Sequence, residues 1–448
     1  MELAIKIFQF ILSISILVIL HELGHFLPAK YFKTKVEKFY LFFDPYFSLV
    51  KKKIGETEYG IGWLPFGGYV KIAGMVDESM DTEQLKQPAQ PWEFRAKPAW
   101  QRLIIMLGGV TVNFFLAWLI YGCLSFFNGE TSFDTAKVDA PMNYTSVAKG
   151  MGFQDGDKIL KVDGKTQNNL DKLALDVLLS DEITVLRNGK EVTFPTNDDG
   201  KAMAFRDENP RAFLTPRFPA VIDSIYNPKT AQAGLKVGDQ VVAVDGKKIS
   251  YYDEFQETVR NSPGKDLKVD VVRGGAIQPL VLSVSKEGTL GLTSYKQLTK
   301  FYETKHFSFG ESIGRGFTRS IESLTYQVKQ FKLIFNKKVQ GYKKVGGPLA
   351  IIKNMPVDKA RDGSVSIDWT AFWSFTAMFS VWLAFLNLIP IPGLDGGHVI
   401  FTLYEMIVGK PVPQKILENA QMVGVIFLLG LMLLIFGADI FKIITNKF

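Results

Sequence analysis

Cysteine is almost absent: Cys123 is the only one in 448 residues. That excludes an internal disulfide framework and any zinc cluster built from thiolates. Histidine is nearly as scarce, with four copies at His21, His25, His306 and His398. There is no long Lys/Arg run, and the formal charge of +7 is modest for this length, so no nucleic-acid partner is expected. The chain is too polar for a compact many-pass transporter, with 22% charged residues against 47% apolar. It is also too apolar in places for a purely soluble protein. A mixture of both environments is expected.

What the chain has is four apolar stretches long enough to span a bilayer, within 1–30, 100–127, 368–398 and 419–445. Cys123 falls in the second, as a small buried or lipid-facing residue. No small-residue cleavage site follows the first stretch, so it reads as a retained span rather than a signal peptide. Lys30, Lys33, Lys35 and Lys38 follow that span, against one Glu37, whereas the loop after the second begins with Glu130 and Asp134. By the positive-inside rule 31–99 is cytoplasmic, the large region from 128 lies outside, and both termini lie outside.

The outer region repeats itself. Residues 152–165 read GFQDGDKILKVDGK and residues 234–247 read GLKVGDQVVAVDGK. Each copy is a glycine turn, an alternating strand (Ile159, Leu160, Val162; Val241, Val242, Val244) and a tight Asp-Gly turn. The pattern resembles the PDZ domain, which holds extended peptides at an open sheet edge. It places one module in 128–206 and another in 216–295, joined by RDENPRAFLTPR. In 305–345, Phe309, Ile313, Phe317, Ile321, Leu324, Val328, Phe331 and Ile334 recur at helical spacing, which predicts one or two amphipathic helices lying against the membrane surface, with an ordinary packed helix as the alternative. On the other side, 59–75 (YGIGWLPFGGYVKIAGM) reads as twisted hairpin strands. It is too glycine-rich to span and too apolar for water, so it is expected to dip into the protein beside the active site.

The chemistry concentrates in VILHELGHFL, residues 18–27. His21 and His25 are four apart, so on a helix they share a face and can hold one metal ion. Glu22 is placed to take a proton from a water that zinc acidifies. Two histidines need a third protein ligand and an open position. The candidate is Asp395, in NLIPIPGLDGGHVI (387–400). Pro390 and Pro392 interrupt the helix before it, and Gly396 and Gly397 follow. A carboxylate at membrane depth is functional by default, although PIPGLDGG alone would equally suit an interfacial turn.

HExxH in a first span combined with NxxPxPxLDGGH in a late one resembles the site-2 protease family of intramembrane zinc metalloproteases, peptidase M50. Tandem PDZ modules in a four-span chain resemble the branch that regulates sigma-E signalling in Gram-negative bacteria. The resemblance covers nearly the whole chain. It implies a polytopic α-helical membrane protein of four transmembrane helices, with two periplasmic, mainly β PDZ domains and a membrane-associated β-hairpin element. It implies one Zn2+ per chain on His21, His25 and Asp395, with Glu22 as general base and Asn387 positioning the substrate or the transition-state oxygen.

Gly67, Gly68, Tyr69 and Val70 would form the strand that receives substrate. Asn113, in LGGVTVNF, matches a family glycine–asparagine stretch as a packing or polar-contact residue, although Gly109-Val110 replaces the usual Gly-Pro. Gly346-Gly347-Pro348 fits a family turn. Where relatives carry a glycine-flanked phenylalanine this chain has YLFFDPYFS, so no role is carried onto Phe42 or Phe43. His398 is read as a supporting residue rather than a fourth ligand, and His306 as plain surface.

The implied location is the bacterial inner membrane, with the active site toward the cytoplasm. The implied substrates are single-span membrane proteins: an anti-sigma factor of the envelope stress response and leftover signal peptides. A trimmed substrate or other peptide is expected at the PDZ modules. The rivals are a membrane PDZ scaffold with a merely structural zinc site and a metal transporter. Glu22 and Asp395, both present, weigh against the first, and the single compact ligand set weighs against the second.

Overall fold

A computed structural model describes residues 1–75, 87–133, 142–166, 170–206, 213–294, 302–344, 346–359 and 364–445. The chain divides into two compact units. One comprises Met1–Gly129, His306–Lys329 and Lys344–Phe448, and the other Glu130–Lys305 and Gln330–Lys343.

The first unit holds four helices long and apolar enough to cross a membrane: Glu2–Tyr31, Ala99–Asn128, Trp369–Leu388 and Gln414–Ile444. This is a multi-pass membrane chain, and the expected four-span architecture with β domains is present. The first two helices approach closely at Gly24 and Gly108, where a side chain on either would meet the other's backbone. Small residues permit such contact, which between apolar helices rests on packing and hydrogen bonds. Buried polar groups join the helices further along. Ser13 Oγ lies 3.0 Å from Thr376 Oγ1, and Ser380 Oγ donates to the Asn113 carbonyl at 2.7 Å.

Beyond the third span the chain turns through Ile389–Leu394 and starts a further helix, Asp395–Val408. Gly396 and Gly397 make the turn possible, because a Cβ at either would collide with the backbone of 388–392 folded over it. In the fourth span Asp439 is fully buried and accepts from the backbone N–H groups of Gly347 (2.9 Å), Leu349 (3.1 Å) and Ala350 (3.3 Å). The Gly346-Gly347-Pro348 turn is thereby tied to that span.

Residues Val36–Ile54 and Thr57–Ile72 pair as one bent antiparallel sheet. Leu41 pairs with both Gly68 and Ile61, while Val50 also pairs with Ile61. Four segments therefore lie in the order 48–54, 57–62, 38–41, 68–72. The 59–75 stretch is thus two strands separated by a third from 38–41, rather than a self-contained hairpin. The bends fall at Phe42 (φ 66) and Tyr46 (φ 73), conformations costly for bulky side chains. Tyr69 stacks between Tyr40 (5.3 Å) and Phe43 (6.1 Å) and donates to Asp44 Oδ1 at 2.8 Å, which fixes the inner strand on its neighbour.

The helix Phe309–Phe335 forms as its spacing predicts, and much of its apolar stripe is exposed. Phe309, Ile313, Phe317, Ile321 and Val328 are exposed, whereas Ser312, Ser320 and Gln327 are buried. Gly316 lies on the backbone of Trp118 and Gly122, and Trp118 Nε1 donates to the Ile313 carbonyl at 2.7 Å. Small residues make the closest helix contact, Leu324 and one side of Phe317 pack beside it, and the other apolar residues face outward, which suits a lipid solvent.

In the second unit both sequence repeats fold as four-stranded sheets with one topology. The orders are 165–166, 158–162, 182–187, 190–195 and 247–248, 240–244, 266–273, 276–283. Each sheet has its own core. The same irregularity recurs, between Ile159 and Lys161 and between Val241 and Ala243. The Asp-Gly pairs make two-residue turns with positive φ at Asp163, Gly164, Asp245 and Gly246, as a tight hairpin of this hand requires.

The repeated Gly-Asp pairs do a second job. Asp157 accepts two hydrogen bonds from Arg187 (2.8 and 2.7 Å), and Asp239 two from Arg273 (2.7 and 2.6 Å). Burial pushes the Asp239 carboxyl up, but Arg273 and the Lys236 N–H more than offset this and hold it below the usual carboxylate range. Leu214–Pro216, at the end of the linker stretch, pairs with Met142–Tyr144 of the first module, while residues 207–212 lie outside those described. His306 is exposed.

Candidate metal centre

The first span carries Gln9, Ser13, Leu17, His21 and His25 on its buried face, a spacing of one helical turn. His21 and His25 are 7% and 4% exposed. Asp395 reaches them from the first turn of its own helix, where the N-terminal end of the helix dipole favours a carboxylate. Its Oδ2 lies 3.3 Å from Nε2 of both His21 and His25, and the two Nε2 atoms are 3.3 Å apart. Among the described residues this is the one group of three or more His, Cys, Asp or Glu side chains with metal-ligand spacing.

The donor set fits zinc. His25 Nδ1 lies 2.8 Å from the Ile105 carbonyl, which fixes its proton on Nδ1 and leaves the Nε2 lone pair turned inward. Asp395 Oδ2 is buried without a hydrogen-bond donor. Two imidazole nitrogens and a carboxylate oxygen facing one point form a donor set that suits a cation between them. Gly109 closes the back of the site. A Cβ there would press on His25 Nε2 and lie 2.6 Å from His21 Cε1 and 2.8 Å from His21 Nδ1.

The site opens into a cavity of about 160 Å3 lined by Glu22, Asn387, Gly68, Tyr69 and Val70, with Val18, Met106 and Leu383 as apolar wall. Asn387 Nδ2 lies 3.1 Å from His21 Nε2, so its amide borders the ligand triangle. Val70 lines the cavity beside Glu22. Thus the inner strand 68–72 faces the site, and among the described residues no other strand pairs with that edge. Gly67 belongs to the strand but does not line the cavity. Pro390 and Pro392 lie in the turn that delivers Asp395. Asn113 sits behind His21, its Nδ2 3.0 Å from His21 Nδ1. His398 lies one turn past Asp395 and is not part of the ligand group.

Two contributors escape a reading of the sequence. Gly109 acts through the side chain it lacks and Ile105 through its carbonyl. The Gly108-Gly109 pair was the one visible hint of a close approach.

Comparison with known proteins agrees with this geometry. The sequence profile of peptidase family M50 matches residues 9–431. Two similar proteins carry the name "Putative zinc metalloprotease". One, from Neisseria meningitidis, is 28% identical over 98% of both chains. The other, from Clostridium perfringens, is 28% identical over 96% of this chain and 97% of its own. The regulator of sigma-E protease RseP of Escherichia coli is 28% identical over 95% of this chain and 96% of its own. The chain belongs to peptidase family M50. It is a zinc metalloprotease of that family.

Proposed function

We propose that this protease hydrolyses peptide bonds within the membrane-spanning segments of single-span proteins, holding one zinc ion on His21, His25 and Asp395. The observation that carries the reading is the convergence of those three donors beside Glu22 and a free strand edge, between helices apolar enough to cross a bilayer. When bound, the zinc ion supplies Lewis-acid chemistry, drawing electron density from a water oxygen and from the scissile carbonyl.

The chain's own groups do the rest. A helical substrate must unwind, because its peptide bonds are shielded and internally hydrogen-bonded. The unwound segment pairs with the free edge of 68–72, which offers backbone donors and acceptors and keeps the segment extended. Asn387 donates its amide N–H to the oxygen on which charge builds. Glu22 takes a proton from the attacking water and passes it to the leaving nitrogen, so the C–O bond forms as the C–N bond breaks.

By its lysine-rich flank the sheet lies on the cytoplasmic side, and the repeated modules, read as PDZ domains, lie in the periplasm. There they admit or exclude substrates trimmed beforehand. The likeness to a regulator of sigma-E protease points to an anti-sigma factor, and to remnant signal peptides, as the substrates.

The test is cleavage of a membrane-embedded model substrate by wild type and Glu22→Gln, with and without a zinc chelator. Activity is expected in untreated wild type alone. Equal cleavage by Glu22→Gln would sink the proposal.

A further inference from the structure

We infer that Asn113 is a positioning residue for the metal site, holding the His21 ring through an acceptor oxygen at Nδ1. The inference rests on His21 being a zinc ligand, and it concerns a side chain that the sequence marks only as a polar contact.

A histidine that ligates through Nε2 is neutral and carries its one proton on Nδ1. That proton needs an acceptor, since a buried unpaired N–H is costly. His25 has the Ile105 carbonyl, 2.8 Å away. At His21 the neighbour is the Asn113 amide, with Nδ2 3.0 Å from Nδ1. Two donors would then meet, while Asn113 Oδ1 is buried with no hydrogen-bond partner.

The two ends of a carboxamide have nearly the same shape, so the hydrogen-bond network decides which end faces the ring. Turning the amide about its last bond brings Oδ1 to the Nδ1 proton. The rotation pairs the Nδ1 proton with Oδ1 and turns Nδ2 into the space that Oδ1 left, so the ring's proton gains its acceptor.

The amide is well held for this task. Asn113 and Ser380 are fully buried, and Ser380 Oγ donates to the Asn113 backbone carbonyl at 2.7 Å. This pins the second span to the third at the level of the ligand. The two histidines then use different kinds of acceptor for one purpose. A backbone carbonyl orients His25 and a side-chain amide orients His21, and both rings turn Nε2 toward Asp395 Oδ2. Partners of this kind typically contribute about 10–100-fold to metal affinity.

The experiment uses full-length protein in detergent and measures the zinc dissociation constant by competition with a fluorescent chelator. Asn113→Leu keeps the volume and loses the acceptor, and Asn113→Asp keeps the acceptor. The leucine variant is expected to bind zinc about 10–100-fold more weakly. The aspartate variant should stay within about threefold of wild type, since the acceptor remains. A role in packing alone predicts no such rescue. If leucine prevents assembly, Asn113→Ala serves in its place.

Wild-type affinity in the variant without an acceptor, or equal weakening in Asn113→Asp, overturns the inference. His21→Ala is the control. If it binds zinc as well as wild type, the ligand assignment fails; if it is weak while Asn113→Leu is unaffected, only the role of Asn113 fails.

Discussion

A single methyl group at position 109 would press on both imidazoles of the metal site, because the second span runs against the first at Gly24 and Gly108. Gly109→Ala should therefore cost zinc rather than fold. Alanine is the better helix former by about 1 kcal/mol, so the helix itself gains. The rings, however, must shift away from Asp395. Zinc per chain after gel filtration should fall, with affinity down about tenfold or more, and cleavage should fall with it. Full zinc content in this variant would show that the rings have room to move.

This residue also marks how far the site was legible in the sequence. His21, Glu22 and His25 declare themselves by donor chemistry and spacing, whereas Asp395, whose stretch alone would equally suit an interfacial turn, is picked out by its membrane depth and the family resemblance. Gly109 and Ile105 contribute a gap and a main-chain carbonyl, which become visible only once two helices are placed together.

At the level of elements, the inner strand 68–72 meets the catalytic machinery through its backbone. Gly68, Tyr69 and Val70 line the cavity beside Glu22, and the Val70 N–H is a backbone donor that the proposed substrate strand would use. Val70→Pro removes that donor and, because an edge strand tolerates proline, should leave the sheet standing. A backbone hydrogen bond contributes about 0.5–1.5 kcal/mol, so kcat/KM should drop about 2–10-fold. Zinc content should be unchanged, and Val70→Ala, which keeps the N–H, should cleave nearly as wild type. Equal rates for the two variants would remove Val70 from the mechanism.

The four spans and both repeated sheets follow from hydrophobic runs and turn signals. The fold of 36–54 does not. It bends at Phe42 and Tyr46 with positive φ, on either side of Asp44-Pro45, a turn signal that does not reveal which strands the two halves pair with. The helix Phe309–Phe335 is legible in its period, and its exposed apolar residues suit the expected place against the membrane surface better than a packed helix. What the sequence does not show is that Gly316 and the buried serines make its contact with the second span.

At the scale of the whole molecule, two units with separate cores are expected to respond differently to the metal. The proposed ligands come from the first span and from the segment beyond the third, far apart in the chain, and all belong to the first unit. Zinc that binds only the folded state stabilises it by about 2.7 kcal/mol when free zinc is a hundredfold above the dissociation constant. None of that binding energy is held by the repeated sheets, whose cores and Asp–Arg pairs contain no ligand. Calorimetry of the full chain in detergent should therefore show one transition that rises with zinc and falls with chelator, and another that stays fixed. Glu22→Gln should keep the zinc-sensitive transition while losing cleavage, because Glu22 is placed to move a proton and not to hold the ion. Loss of zinc sensitivity in Glu22→Gln would make Glu22 a ligand, and the separation between holding the ion and activating water would have to be redrawn.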